Sequence, residues 1–341
     1  MGERALGGGG GRGSLLARIR SPLLRYILRR LAWSVLLLFL VVFLTFLVFY
    51  ELPSADPAVL RAGRLATPEV VAEIREKFGL DEPFYVQFWI YTKGIVTEFD
   101  LGFSYYKNVP VREEIFARLP ASISVAVGAF VLWMAIALPV GILTALRPRS
   151  RSDRAVTGLT LVFLSAPTYW LGLVVLFLFA RDIGAFPIVG GAGSYVPLSE
   201  DPKAWLESLI LPWIVLACGF AGLYARMIGE NLREAMAQDF VRTARAKGLT
   251  ERRVVLRHGL RAGLTPIVTL AALDLGVLLG GTILVETVFN IPGVGRYAVE
   301  AIQNADLPAI QGTVLFGAFF IVLAILVSDI LYAVLDPRVR Y

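Results

Sequence analysis

The sequence has very few of the residues on which covalent catalysis and metal binding usually depend. Among its 341 residues there is one cysteine, Cys218, and one histidine, His258. A disulfide framework, a histidine-rich metal site and the H-E-x-x-H zinc motif are therefore excluded. Because His258 lies among arginines, we interpret it as a loop or interface residue rather than a proton carrier. We predict no catalytic residue and no metal site.

The sequence also lacks the loop with which many ATPases hold phosphate. No G-x-x-x-x-G-K-[ST] pattern occurs, and the glycine-rich stretch from Gly7 to Ser14 has no lysine at the required spacing. We therefore expect that this chain binds no nucleotide cofactor of its own.

Charged residues are scarce at 18%, whereas 57% of the residues are hydrophobic, a balance typical of a polytopic membrane protein. A helix needs roughly 20 apolar residues to cross a bilayer core of about 30 Å. Six stretches qualify or nearly do: 27–50, 119–146, 155–180, 209–228, 264–286 and 311–335. The predicted fold class is all-α, with six transmembrane helices.

Basic residues are concentrated in alternate loops. They cluster in the N-terminal stretch, at 147–154, at 226–261 and near the C-terminus, while 181–208 and 287–310 carry few. The positive-inside rule then places both termini in the cytoplasm. The net charge of +6 follows from this topology and does not indicate nucleic-acid binding.

The same patterns divide the chain into four parts. Residues 1–24, which are rich in glycine, are predicted to be a disordered cytoplasmic tail, and 25–50 the first transmembrane helix. Residues 51–118 form an external segment with a short helix that begins at Thr67-Pro68. Residues 119–341 form a core of five transmembrane helices, which includes a cytoplasmic loop at 234–266.

The 234–266 loop is a basic island between two apolar spans. Met236, Phe240, Val241 and Ala244 recur at spacings of three and four, so they are predicted to line one face of a helix. Arg242, Arg245 and Lys247 lie off that face. A basic loop is expected on any cytoplasmic surface, which is the alternative to a functional role.

Gly248 interrupts this helix. The order of residues predicts that Gly248 is the C′ residue that ends the helix and that Leu249 is a short connector. Thr250 and Glu251 would then be the N-cap and the first turn of a second helix. Thr265-Pro266 is then predicted to begin the next membrane span. The unit is therefore helix, glycine break, helix, span.

The residues from Phe240 to Leu249, FVRTARAKGL, resemble the cytoplasmic "EAA" loop of permease subunits of ATP-binding-cassette (ABC) importers. Arg242-Thr243-Ala244 stands where the general pattern has Glu-Ala-Ala, and Pro266 falls late, as in the peptide and nickel branch. Further segments resemble that branch, among them Gly79–Pro83, Phe99–Ser104 and Glu286–Arg296. The resemblance extends from about residue 25 to residue 341.

The resemblance implies a type I importer permease with the MetI-like fold, in a bacterial inner membrane. Its partners would be a second permease, two cytoplasmic ATPases that bind ATP and magnesium, an external binding protein and membrane lipid. The residues that would couple to the ATPases are Phe240, Arg242, Thr243, Ala244, Lys247, Gly248 and Leu249. The cargo would be oligopeptides or dipeptides, with nickel chelates and glutathione as alternatives.

Two features inside the spans are candidates for the translocation path. Asp274 is an acid within the fifth span, where charge is costly, and either a path wall or an interhelical contact would explain it. Pro167 is predicted to kink the third span, either at the path or for packing. Gly276 and Gly280 have the small-xxx-small spacing of closely packed helices.

Two other classes of function fit the sequence less well. A secondary transporter would need ion-coupling residues in its spans and often shows internal repeats, but these spans carry almost no charge and show no evident repeat. An intramembrane enzyme would need a constellation of catalytic residues that this sequence does not supply.

Overall fold

The computed structural model describes residues 11–51, 58–59, 67–77, 81–104, 106–182, 184–280 and 282–335. These residues are mostly helical, and their strands form one short antiparallel hairpin. The helices are α1 (Gly11–Phe46), α2 (Pro68–Lys77), α3 (Phe84–Lys93), α4 (Val111–Leu146), α5 (Arg151–Ser165), α6 (Thr168–Phe179), α7 (Pro202–Met236), α8 (Asp239–Ala246), α9 (Glu251–Arg253), α10 (Leu260–Gly280), α11 (Ile283–Val288), α12 (Val294–Gln303) and α13 (Leu307–Leu335). Wider π-helical turns follow α1, α3 and α9, and the hairpin strands are β1 (Phe103–Ser104) and β2 (Val109–Pro110).

Five continuous helices are long and apolar enough to cross a membrane. They cover Leu24–Phe49, Val111–Leu146, Pro202–Met236, Glu251–Gly280 and Leu307–Ala333. The bent pair α5 and α6 becomes a sixth span if the two helices are counted as one. The prediction of an all-α, polytopic membrane protein is confirmed.

Two helix pairs form the centre of the molecule. Helix α4 packs along α7, and α10 packs along α13, which also contacts α1. Glycines allow the close approach in the first pair: a Cβ on Gly128 would lie 2.0 Å from Cε2 of Trp213, and one on Gly141 would lie 2.7 Å from the carbonyl oxygen of Ala225. The α4–α7 contact therefore depends on small residues, as is common between membrane helices.

The small-xxx-small spacing in α10 serves the second pair. A Cβ on Gly276 would lie 1.8 Å from Cβ of Ala324, and one on Gly280 would lie 3.3 Å from the carbonyl oxygen of Gly317. The predicted close packing is confirmed, and its partner is α13 of the same chain. Ser328 on α13 also donates a hydrogen bond to the carbonyl of Thr269 on α10, at 2.9 Å.

The N-terminal prediction needs a correction. The sequence predicts a disordered tail over 1–24, but α1 begins at Gly11, so the prediction is wrong for residues 11–24. Leucine, alanine and arginine predominate after the glycines, and all three are good helix formers. Residues 1–10 lie outside the described residues. In the external segment, the predicted short helix after Thr67 is present as α2.

The third span differs more strongly from its prediction. Helices α5 and α6 meet at an angle of 103°, so Pro167 marks a complete break rather than a kink in one helix. Ala166, directly before the proline, has ψ of 127°, the extended conformation that a following proline favours. Thr168 then begins a new helix.

The fifth span also starts and ends at other positions than predicted. The chain is helical without interruption from Glu251 to Gly280, so Thr265-Pro266 does not begin a helix. Pro266 is accommodated within α10. At the other end the helix stops at Gly280 rather than at residue 286, and α11 forms a separate short helix.

Candidate functional site

Helix α8, the first helix of the basic loop, is held against the helical segment that follows it. Val241 and Ala244 point inward and pack with Val254, while Met236 and Leu249 cover the edges of this small cluster. Val241 and Val254 are completely buried. Burial of this apolar face fixes α8 as part of a helical hairpin rather than as a loose loop.

Gly248 ends α8 in the conformation that the sequence predicts. Its φ is +76°, and its amide donates to the carbonyl of Arg245 at 2.9 Å. The amide of Leu249 donates to the carbonyl of Ala244 at 3.4 Å. This pair of bonds defines a Schellman motif, and the contact of Leu249 with the Val241 cluster supplies the hydrophobic part of the motif.

The opposite face of α8 is open. The side chains of Arg242, Thr243 and Lys247 are exposed, and Phe240 is 41% exposed. Phe240, which is predicted to share one helix face with Val241 and Ala244, is not part of the cluster that they form with Val254. An exposed phenylalanine beside basic residues gives this surface both apolar and positive character. We call the exposed side chains of Phe240, Arg242, Thr243 and Lys247 the α8 face.

The second helix of the hairpin begins at Glu251, as predicted, although the Thr250 side chain makes no capping hydrogen bond. Arg245 of α8 forms two hydrogen bonds with the carboxylate of Glu251, at 2.7 and 3.1 Å. Because both partners are exposed, this ion pair adds little stability and serves mainly to hold the two helices in register. His258 is half-buried in the π-helical turn after α9.

The hairpin is firmly seated on the adjacent ends of two long helices, α4 and α7. Val255 packs with Ala145 of α4 and Leu232 of α7. A Cβ on Gly259 would lie 2.5 Å from Sδ of Met236, and one on Gly263 would lie 3.1 Å from the backbone nitrogen of Leu232. Movement of α8 must therefore move the ends of α4 and α7 as well.

Asp274 is half-buried in α10 and is hydrogen-bonded by the hydroxyl of Tyr224 on α7. Tyr224 is buried against Trp133 of α4, and Trp133 stacks on Phe220 at 4.5 Å between ring centroids. The structure thus gives Asp274 an interhelical partner. A role for Asp274 in the path stays a prediction.

Pro167 is exposed at the break between α5 and α6. The predicted coupling residues lie together on one hairpin, whereas Asp274 and Pro167 belong to other helices. Among the described residues there is no group of three or more histidine, cysteine, aspartate or glutamate side chains that could hold a metal ion.

Glu286, which sequence reasoning passed over, is one of the most closely enclosed side chains among the described residues. It has no exposed surface and accepts hydrogen bonds from Ser122, Thr282 and the backbone of Arg296. The sequence shows an acid at the end of an apolar run, within the Glu286–Arg296 segment that resembles the peptide and nickel branch, and neither signal indicates a buried carboxylate.

Comparisons with known proteins agree with this architecture. The family described as "Binding-protein-dependent transport system inner membrane component" matches residues 137–341, and the N-terminal region of such membrane components matches residues 23–126. The chain belongs to this family. The resemblance seen in the basic loop is therefore confirmed over most of the sequence, and the protein is a multi-pass component of the inner membrane.

Individual relatives align over nearly their whole lengths. A putative peptide transport system permease protein of Brucella abortus is 40% identical over 317 residues, covering 92% of this chain and 98% of the relative. The dipeptide transport system permease protein DppB of Escherichia coli is 35% identical, covering 94% and 99%. The glutathione transport system permease protein GsiC of Salmonella choleraesuis is 36% identical, covering 94% and 100%.

Proposed function

We propose that this chain is a permease subunit of an ATP-driven importer and that, with a second permease, it forms the pathway for peptides. The single observation that carries the proposal is the α8 hairpin, which exposes a basic and aromatic face while its other face is packed onto α4 and α7. Peptide is the favoured cargo because relatives named as peptide and dipeptide permeases align with more than nine-tenths of the chain.

In this proposal the α8 face binds a cytoplasmic ATPase. ATP and magnesium belong to the ATPase subunits, and the permease itself carries out no covalent chemistry. Closure of two ATPases on ATP would displace the hairpin, and the packing of Val255 and Gly259 would transmit the displacement to α4 and α7. ATP then acts through the difference in its affinity for inward-facing and outward-facing states.

The orientation of the chain in the membrane decides which side each partner approaches. Both termini and the α8 hairpin lie in the cytoplasm, and the loops that contain β1, β2, α11 and α12 face outward. An external binding protein would deliver the peptide to that outward side. Asp274 is a candidate path residue, because a half-buried acid at an interhelical position can serve either passage or packing.

Glutathione is the second candidate cargo, because a relative named as a glutathione permease is 36% identical over 319 residues. Glutathione is itself a small peptide, so both candidate cargoes require a similar translocation path. The choice between them would rest largely with the binding protein.

The proposal is tested by reconstituting the chain in proteoliposomes with a partner permease, two ATPase subunits and a binding protein from the same organism. We expect uptake of labelled peptides that depends on ATP and on every subunit. Dipeptides, longer peptides and glutathione are compared at equal concentrations. Uptake by this chain alone, driven by an ion gradient, would contradict the proposal and support a secondary transporter.

A further inference from the structure

The external end of the molecule is organised around one buried carboxylate. Glu286 lies in α11, and its Oε1 accepts hydrogen bonds from the hydroxyls of Ser122, at 2.7 Å, and Thr282, at 2.9 Å. Its Oε2 accepts from the backbone amide of Arg296 at 2.9 Å. Glu286 and Ser122 have no exposed surface. Burial of a carboxylate this completely is costly unless its oxygens accept hydrogen bonds, as both oxygens of Glu286 do.

These bonds act on the first turn of α12. The first amides of a helix have no partner within the helix. Here the amide of Arg296 is satisfied by Glu286, and the amide of Val294 donates to the hydroxyl of Ser122 at 2.9 Å. The negative charge of Glu286 also lies at the positive end of the α12 dipole. Glu286 therefore caps a helix to which it does not belong.

The packing around the carboxylate leaves no room for it to move. A Cβ on Gly293 would lie 2.3 Å from the carboxyl carbon of Glu286, and one on Gly295 would lie 3.0 Å from its Oε2. The glycines at both positions are therefore required for the chain to wrap closely around the acid. Through Ser122, the same carboxylate ties α12 to α4.

Helix α12 covers the outer ends of two membrane helices. Its buried residues Val294, Tyr297 and Ala301 pack against Val111 and Ile115 of α4 and against Ala309 of α13. In its last turn Ala301 belongs to this contact, whereas the neighbouring Ile302 lies on the open side of the helix and is 62% exposed. A protein that docks from outside would meet this end of α12 directly.

We propose that Glu286 is a positioning residue that fixes α12, and with it the external surface on which the binding protein docks. Glu286 sets the first turn of α12 and its attachment to α4, and a shift there moves the exposed end of the helix. The docking part of this inference rests on the proposed function, whereas the capping part does not.

The test uses the complete transporter with Glu286→Gln. Glutamine can still accept from both hydroxyls, but its amide nitrogen would face the amide of Arg296, so two donors would oppose each other. The matched control is Glu113→Gln, the same chemical change at an exposed position on the first turn of α4. Assembly and basal ATPase activity are measured alongside docking to identify a general loss of folding.

Two readouts address the two parts of the inference. Hydrogen exchange of a peptide spanning 294–303 should become faster by about ten-fold in Glu286→Gln, the factor that corresponds to the loss of one buried charge-assisted hydrogen bond. The concentration of binding protein that gives half-maximal ATPase stimulation should rise by about ten-fold on the same basis. Glu113→Gln should change neither readout, and assembly and basal activity should stay at the wild-type level.

Each other outcome is decisive. Unchanged exchange over 294–303 would overturn the capping role, and faster exchange with unchanged stimulation would overturn the docking role. If Glu286→Gln does not assemble, Ser122→Ala is used in its place. Weaker docking in an assembled Ser122→Ala complex supports the inference, whereas lost assembly shows that the Glu286–Ser122 contact is needed only for folding. If the wild-type complex does not respond to any binding protein, the proposed function fails, while hydrogen exchange still tests the cap.

Discussion

Substitutions of Gly248 can distinguish the effect of backbone conformation on ATPase binding from the effect of side-chain volume. Its φ of +76° lies in the left-handed region, and a Cβ built there would meet no atom within 4 Å. A larger side chain therefore causes no collision, and the only cost is the strain of a left-handed residue. That strain is about 1–2 kcal/mol for an ordinary L-residue, larger for a β-branched one and smaller for asparagine.

The expected order of ATPase affinity is therefore wild type, Gly248→Asn, Gly248→Ala and Gly248→Val. If the strained turn must form for the ATPase to bind, Gly248→Ala should weaken binding by about five- to thirty-fold, since each 1.4 kcal/mol corresponds to a factor of ten. Gly248→Val should weaken it further, with the membrane helices still inserted. The assay is titration of purified ATPase onto the permease pair in nanodiscs.

Gly248→Asn is the internal control for this series, because asparagine adds volume but tolerates positive φ. Co-purification of the ATPases at wild-type yield with Gly248→Val would refute the reasoning. An asparagine variant weaker than the alanine variant would also refute it, since volume rather than conformation would then matter.

Three further predictions concern the membrane part of the chain. Gly276→Ala should destabilise the α10–α13 contact by about 1–3 kcal/mol and lower the unfolding temperature in detergent, whereas Gly219→Ala, where a Cβ meets nothing within 4 Å, should not. Asp274→Asn should leave assembly and basal ATPase activity near wild type but alter uptake of peptides with a charged amino terminus; unchanged uptake, with assembly lost in Asp274→Leu, would make the residue structural. In a chain whose native cysteine is replaced by serine, a cysteine at Asn304 should react with an impermeant thiol reagent outside intact cells, and one at Gln238 only after lysis; outside labelling at Gln238 would reverse the orientation.

Local signals in the sequence predicted several features correctly. The position of Gly248 after an amphipathic helix indicated the Schellman turn, because that turn depends on residues within one helical turn of each other. The spacing of Gly276 and Gly280 indicated a close helix contact for a similar reason. Apolar runs likewise predicted membrane helices, since the bilayer sets their minimum length.

Features set by distant packing could not be predicted in this way. The spacing of Phe240 is compatible with the face formed by Val241 and Ala244, but Val254, which decides what that face contacts, lies in a later helical segment. Pro167 indicates an interruption, but the angle of 103° depends on how α5 and α6 pack separately against other helices. Glu286 and Ser122 are 164 residues apart, so their contact has no local signature.

The most direct test of the account is photo-cross-linking from the α8 face. A photoreactive phenylalanine analogue is introduced in place of Phe240, whose side chain is 41% exposed, in the assembled transporter. The same analogue in place of Ile302, in the last turn of α12, serves as the control. We expect an adduct with an ATPase subunit from position 240 and none from position 302. Absence of an ATPase adduct from position 240 in a complex that hydrolyses ATP would contradict the assignment of the α8 face as the coupling surface.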